Sequence, residues 1–324
     1  MEFEENQTII TEFWLQGFQC GSQYKIFLFL LFLITYAATI AGNALIIKLV
    51  IVSPELWSPM YFFLSHLSVD EILFTTNITP NMLNSLLRED GSISIEGCFV
   101  QIFLFGSFTV TECFLLVIMS YDRYLAICVP LNYHSLMNQK TCNQLSIGAW
   151  MGGLTISVAS CFFIFLLQFC GLNVIDHFFC DFTLVLQKSC TDTYMIETEI
   201  RIFSILVILP IFLFICLTYI YIIFTILKIP TNTGKQKGFS TCSSHLTVVF
   251  MYYGTLIAVY VAPAKGHPYK LNKILSLLYT VATPLLNPLI YSLRNKTIKC
   301  VLDNAIKKQL WDGGRSRPQL KMAA

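Results

Sequence analysis

Charge is scarce in this sequence. Only 12% of the residues are Asp, Glu, Lys or Arg, against about 25% in soluble domains. With 324 residues, 55% of them hydrophobic, and a mean hydropathy of +0.65, so little charge points to a chain that crosses a membrane several times. A basic tract interleaved with aromatics is also missing, so no nucleic-acid partner is expected. No His-Glu-x-x-His, Gly-x-Ser-x-Gly or phosphate-loop motif occurs, so no enzymatic chemistry is expected. No segment repeats with a period of about 20–50 residues, which excludes a solenoid. Matching broken helices in two halves, the mark of many transporters, are missing too. The chain opens with Glu2, Glu4, Glu5 and Glu12 and has no Lys or Arg before Lys25. A cleavable signal peptide wants a basic start, so none is expected.

What is there is a set of apolar runs. A membrane helix needs about 20 mostly apolar residues, and seven runs qualify: residues 26–52, 60–87, 97–127, 145–167, 200–227, 239–262 and 271–293. Connections are short, except for residues 168–199 between the fourth and fifth runs. The expected fold class is an all-α membrane protein, a seven-transmembrane helix bundle. The expected division is an outer N-terminus at residues 1–25, the bundle at 26–294, and an inner tail at 295–324. In that tail Ile298, Val301, Leu302, Ala305 and Ile306 share one helical face, which fits a short amphipathic eighth helix on the membrane surface.

Orientation follows from the basic residues. With the N-terminus outside, fourteen of the 21 Lys and Arg residues fall on the inner side. The first inner loop, Ser53 to Pro59, is an exception with none. Asn6-Gln7-Thr8 fits the glycosylation acceptor pattern and would face the lumen during synthesis. The sequons at Asn77 and Asn295 fall in a span and on the inner side, and are expected to stay unmodified. The chain is expected in a plasma membrane, in contact with lipid.

Ionisable groups inside a span are costly and mark function. Asp70, Glu71, Glu112 and Asp122 fall in spans, and Arg123 adjoins Asp122 near the inner end of the third. An adjacent acid and base can hold one another and part when the bundle moves, or simply anchor a helix end. In the seventh span Pro288 removes a backbone donor and kinks the helix, with Asn287 beside it and Tyr291 one turn on. Outside the spans, Cys98, Cys170, Cys180 and Cys190 lie in an oxidising compartment, where four cysteines allow three pairings.

The order of motifs is informative: Gly42-Asn43 in span one, Asp70 in two, Asp122-Arg123-Tyr124 ending three, Trp150 in four, and Asn287-Pro288-x-x-Tyr291 ending seven. The constellation resembles the rhodopsin-like G-protein-coupled receptors. Five longer stretches narrow it: PMYFFLSHLSVDE from Pro59, MSYDRYLAIC from Met119, HFFCD from His177, GFSTCSSHL from Gly238, and PLLNPLIYSLRN from Pro284. They are similar to the signatures of odorant receptors of the tetrapod-type, class II branch. Gly238 departs from that pattern, which has Ala there, and the tail after Leu310 matches nothing in it.

The resemblance implies a function and a set of roles. Arg123, paired with Asp122 at rest, would be released to meet a stimulatory G protein and raise cAMP, with Tyr124, Tyr219, Asn287, Pro288 and Tyr291 taking part. Cys98 would bond to Cys180, and Cys170 to Cys190 within the long loop. The ligand would be lined by Phe105, Gly106, Thr109, Val110, Phe203, Ser204, Val207, Tyr253, Leu256, Ile257, Tyr260, Leu277 and Thr280. That set is apolar with a few hydroxyls. It lacks the acid that amine receptors place at the position of Phe105, and the nearest cation, Lys265, falls at the rim. A small neutral volatile is expected. His177-x-x-Cys180 could suggest a metal, but a disulfide-bonded Cys is no thiolate ligand, so His177 is read as packing within the lid. No cofactor is expected beyond Na⁺, which Asp70 and Glu112 could hold, with Asp70 facing the bundle axis and Glu71 set against a neighbouring helix. A shared proton is the alternative. The family's tissue implies the cilia of olfactory neurons; sensing a metabolite elsewhere is the alternative.

Overall fold

The computed structural model describes residues 10–88, 91–261, 269–294, 297–304 and 307. Asn6, Lys265 and the chain beyond 307 lie outside the described residues, as do Ala305 and Ile306. We number the membrane helices α1 to α7. The first five are Ser22–Val52, Pro59–Leu87, Ile95–Cys128, Gln139–Phe162 and Tyr194–Leu227. The sixth runs over Asn232–Leu256 and continues as a π-helical turn at Ile257–Val261. The seventh joins Tyr269–Leu277, a π-helical turn at Leu278–Ala282, and Thr283–Arg294. Residues 297–304 are helical as well, where the amphipathic stretch begins.

Local chemistry sets the helix ends. Ser94 and Asn138 cap α3 and α4 by accepting from Gly97 N–H and Thr141 N–H at 3.0 Å each, which satisfies donors a helix start leaves free. Pro59 opens α2, where its missing N–H costs nothing. In α7, Pro284 cannot donate to the turn before it, and the helix runs as a π turn there. Pro288 likewise leaves the Pro284 carbonyl without its helical donor. Asn43 of α1 supplies one across the bundle, Nδ2 to oxygen, at 3.3 Å.

Helix α3 is the hub, packed against α2, α4 and α5. Its approach to α4 is close because Gly153 has no side chain: a Cβ there would meet Thr111 Oγ1 at 2.2 Å and the Ser107 carbonyl at 2.5 Å. Among the described residues, five helices are long and apolar enough to cross a membrane by length and composition. Helix α2 is less apolar because its inward side carries Asp70, Glu71, Thr75 and Thr79, all buried.

The all-α expectation needs one addition. β1 (Glu12–Leu15) pairs antiparallel with β2 (Ser92–Ser94) and parallel with β3 (Val174–Ile175). Strands of two to four residues are too short to show period-two alternation. The sheet sits over one end of the bundle, here termed the mouth. The end with Arg123 is the base.

Candidate functional site

The long loop is a lid on the mouth. Cys98 at the top of α3 is bonded to Cys180, and Cys170 to Cys190. Three further ties hold it. Gln101 of α3 accepts from Cys180 N–H at 2.9 Å and donates to the Asn77 carbonyl of α2 at 2.9 Å. Lys273 of α7 reaches Asp176 at 2.5 Å and the Gly17 carbonyl at 2.8 Å. Gly17 has φ +56°, a left-handed conformation open to glycine. Phe178 and Phe179 are fully buried under the loop. Phe179 meets Phe105 of α3 with ring centroids 5.3 Å apart. His177, stacked on Phe178, is buried, and burial lowers its pKa to about 4.

Below the lid lie two adjoining chambers. The outer one, about 220 Å³, is lined by Asp176, His177, Asp181, Glu197 and Arg201 among others. The inner one, about 140 Å³, is apolar, and none of its lining residues is charged. Phe182, Ile200, Ser204 and Tyr260 line both. Of the expected ligand residues, the inner chamber gathers Phe105, Gly106, Thr109, Val110, Phe203, Ser204, Val207, Leu256 and Tyr260, together with Cys113. Four others are not in its wall. Tyr253 lies beneath, donating to the Cys113 carbonyl at 3.0 Å. Ile257 packs against the central core cluster. Leu277 packs with the lid aromatics. Thr280 lines a separate small gap between α1, α2 and α7. Helix α4 contributes Ile156, Ser157, Ser160 and Cys161, which the sequence reading left out. Thr109 Oγ1 is buried without a hydrogen-bond partner. Arg201 corrects the picture of the rim: a cation does line the outer chamber.

Midway down, the carboxylates separate by partner. Glu71 accepts from Asn43 Nδ2 at 3.2 Å and from Asn287 Nδ2. Glu71 is thus set against the neighbouring helices α1 and α7 through their asparagines. Adjacent residues point about 100° apart on a helix, and here both directions lead into protein: Asp70 and Glu71 are each 0% exposed. Asp70 Oδ1 and Oδ2, Glu112 Oε1 and Asn287 Oδ1 are buried without hydrogen-bond partners.

At the base, Arg123 Nη2 and Nε donate to Asp122 Oδ2 at 2.6 and 3.1 Å. Asp122 is 0% exposed, so it needs partners on both oxygens. Its Oδ1 accepts from Tyr133 at 2.7 Å. Tyr133 begins the short helix Tyr133–Leu136. Tyr219 of α5 pairs its hydroxyl with His245 Nδ1 of α6 at 2.6 Å. Tyr124 stacks on Tyr121 and meets Tyr221 edge-on. Tyr291 is buried with its hydroxyl unpartnered. Pro288 packs close to α1, where Gly42 leaves room. Tyr133 and His245 were not singled out from the sequence, because each acts on a residue from another part of the chain.

Seven helices around a lidded apolar chamber, with an Asp-Arg pair at the opposite end, define a seven-helix membrane receptor. The olfactory receptor family model matches residues 31–309. Olfactory receptor 2A7 of Mus musculus is 43% identical, over 94% of this chain and 98% of its own. Olfactory receptor 11L1 of Homo sapiens is 43% identical over 97% and 98%. Olfactory receptor 10A3 of Homo sapiens is 44% identical over 92% and 95%. The chain belongs to the olfactory receptor family, whose members are G-protein-coupled receptors of the membrane and not enzymes.

Proposed function

We propose that the protein is an odorant receptor that binds a small neutral volatile in the inner chamber and activates a stimulatory G protein at the base, raising cAMP. In this reading the mouth is extracellular and the receptor works in the cilia of olfactory neurons. The observation that carries it is the uncharged apolar chamber of about 140 Å³ beneath the lid. Apolar walls with a few placed polar groups suit small ligands. The Thr109 hydroxyl, buried without a partner, offers one hydrogen bond. A panel of aliphatic alcohols, aldehydes, ketones and esters, read by cAMP in transfected cells, tests the proposal. Val207→Trp should fill the chamber and abolish the responses while leaving surface delivery intact. Responses unchanged by that substitution would place the ligand elsewhere.

The unpartnered oxygens of Asp70 and Glu112 support a second proposal, a Na⁺ ion that favours the resting state. Oxygen donors suit a hard cation. Among the described residues, however, no set of three His, Cys, Asp or Glu side chains converges as a metal site. Asn287 Oδ1 could add a neutral donor. Signalling of Glu112→Gln across a sodium series at constant ionic strength tests it. Identical sodium responses of mutant and wild type would favour a shared proton instead.

A further inference from the structure

The inner chamber is not closed on every side. Toward the bundle axis it is: Phe105 is 8% exposed, Cys113 2% and Leu256 0%. The walls from α4 and α5 differ. Ile156 and Ser160 of α4 and Val207 of α5 are half-buried, and Phe203 of α5 is 37% exposed. These four line the chamber and reach the surface at once. Helices α4 and α5 both pack on α3 and scarcely on each other. A seam therefore runs between them, with Gly106 and Val110 of α3 at its floor.

The seam faces lipid. Its four edge residues fall in helices long and apolar enough to cross a membrane, in the half nearer the mouth. Ser160 Oγ donates to the Ile156 carbonyl at 3.0 Å, so the polar edge residue of α4 is satisfied within its own helix. One turn below Val207, Pro210 interrupts the ladder of α5 and leaves the Leu206 carbonyl without its helical donor. Helices bend at such prolines, and the segment above this one carries Phe203. The way in from the mouth is different in kind. It lies under the disulfide-tied lid and through the outer chamber, which Asp176, Asp181, Glu197 and Arg201 line.

We propose that the seam between α4 and α5 is the ligand's entrance from the bilayer, with Phe203 as its gate. The ligand dissolves first in the leaflet on the mouth side and passes between Ser160 and Phe203 into the chamber. Each CH₂ group moved from water to hydrocarbon raises the local concentration about fourfold, so the bilayer gathers the ligand before the receptor meets it. The ligand class narrows to molecules that partition into lipid. This inference rests on the odorant-receptor reading of the inner chamber.

The experiment uses receptor in nanodiscs and an octane that carries a photoreactive diazirine. The probe is mixed in, flashed after increasing delays, and its attachment to the α3 segment holding Val110 and Cys113 is read by mass spectrometry. Ala159 and Leu206 precede Ser160 and Val207, are both exposed, and do not line the chamber; they are the lips of the seam. Ala159→Trp should slow the onset of labelling about tenfold, the factor for roughly 1.4 kcal/mol of added barrier. The final extent should match wild type, because an entrance changes entry and exit by the same factor. If Ala159→Trp does not fold, Leu206→Trp carries the same expectation. Val158→Trp, on the far side of α4, should label at the wild-type rate, and so should Cys170→Ser, which loosens the lid. A wild-type onset in whichever lip variant folds overturns the entrance, and so does a faster onset in Cys170→Ser. A lip variant that lowers the extent without slowing the onset also overturns it. Absence of label from that α3 segment in wild type would remove the chamber as a ligand site and the entrance with it. The readout needs no G protein, so a failed entrance leaves the cAMP test of the receptor reading intact.

Discussion

At the mouth, two disulfides, a three-stranded sheet and the Lys273 clamp fasten the loops. At the base, the described residues hold one ion pair, Asp122–Arg123, and a set of tyrosines joined by single hydrogen bonds or none. Covalent bonds and backbone ladders do not rearrange on the time scale of signalling. Single side-chain bonds do, since each has a net worth of about 1 kcal/mol. The contrast teaches where motion is allowed: the mouth keeps its shape, and the base can change partners.

The contrast can be broken most severely at the mouth. Cys98→Ser or Cys180→Ser should abolish surface delivery, because losing such a bond costs about 2–5 kcal/mol in small secreted domains. Cys170→Ser should do less harm, since its ring spans only 20 residues. Flow cytometry of tagged receptor measures both, and equal surface signal for Cys98→Ser would refute the first. At the base, Arg123→Ala should reach the surface yet lose agonist-driven cAMP. Normal signalling by that variant would show that the ion pair is only an anchor. A smaller effect is expected from Tyr133→Phe. It removes one of the two partners of Asp122, a hydrogen bond to a charged group worth about 1.5–3 kcal/mol. Agonist-free cAMP should rise several-fold; a drop, or no change, would mean that Tyr133 does not hold the resting pair.

The smallest effect concerns pH. Burial lowers the His177 pKa from 6.5 to about 4, with Asp181 and Asp176 opposing that shift and Lys273 adding to it. The unfolded imidazole takes a proton below about 6.5, while the folded one stays neutral down to about 4. The unfolded state then binds more protons, so stability is full above that window and falls as pH drops through it. Thermal unfolding of receptor in nanodiscs at pH 7 and pH 5 should show a loss in wild type of a few degrees that His177→Phe reduces. Parallel losses would remove His177 from the account.

The spans were legible because apolar runs of about 20 residues have one physical use. The lid disulfides were legible only through the family resemblance, since four cysteines leave three pairings open. The sheet was not legible, because its strands are shorter than one period of evidence. The partners of Glu71 were not legible for a different reason. A neighbouring helix was expected beside it, but which side chains it meets, Asn43 and Asn287, only the fold decides. The π turns carry no pattern of their own beyond the proline after the second. Tyr133 and Gln101 matter through partners that only the fold brings near.

The N-terminal strand has a consequence for the order of biosynthesis. Ribosomes deliver the chain from its first residue, and β1 emerges long before anything it pairs with. Its first partner, β2, is some 80 residues downstream, and β3 about 80 beyond that. The clamp on Gly17 waits for Lys273, 256 residues later. A segment made before all seven helices is thus fully fastened only when the last of them is made. Until β2 and β3 have been made, its unpaired edges are a natural target for chaperones.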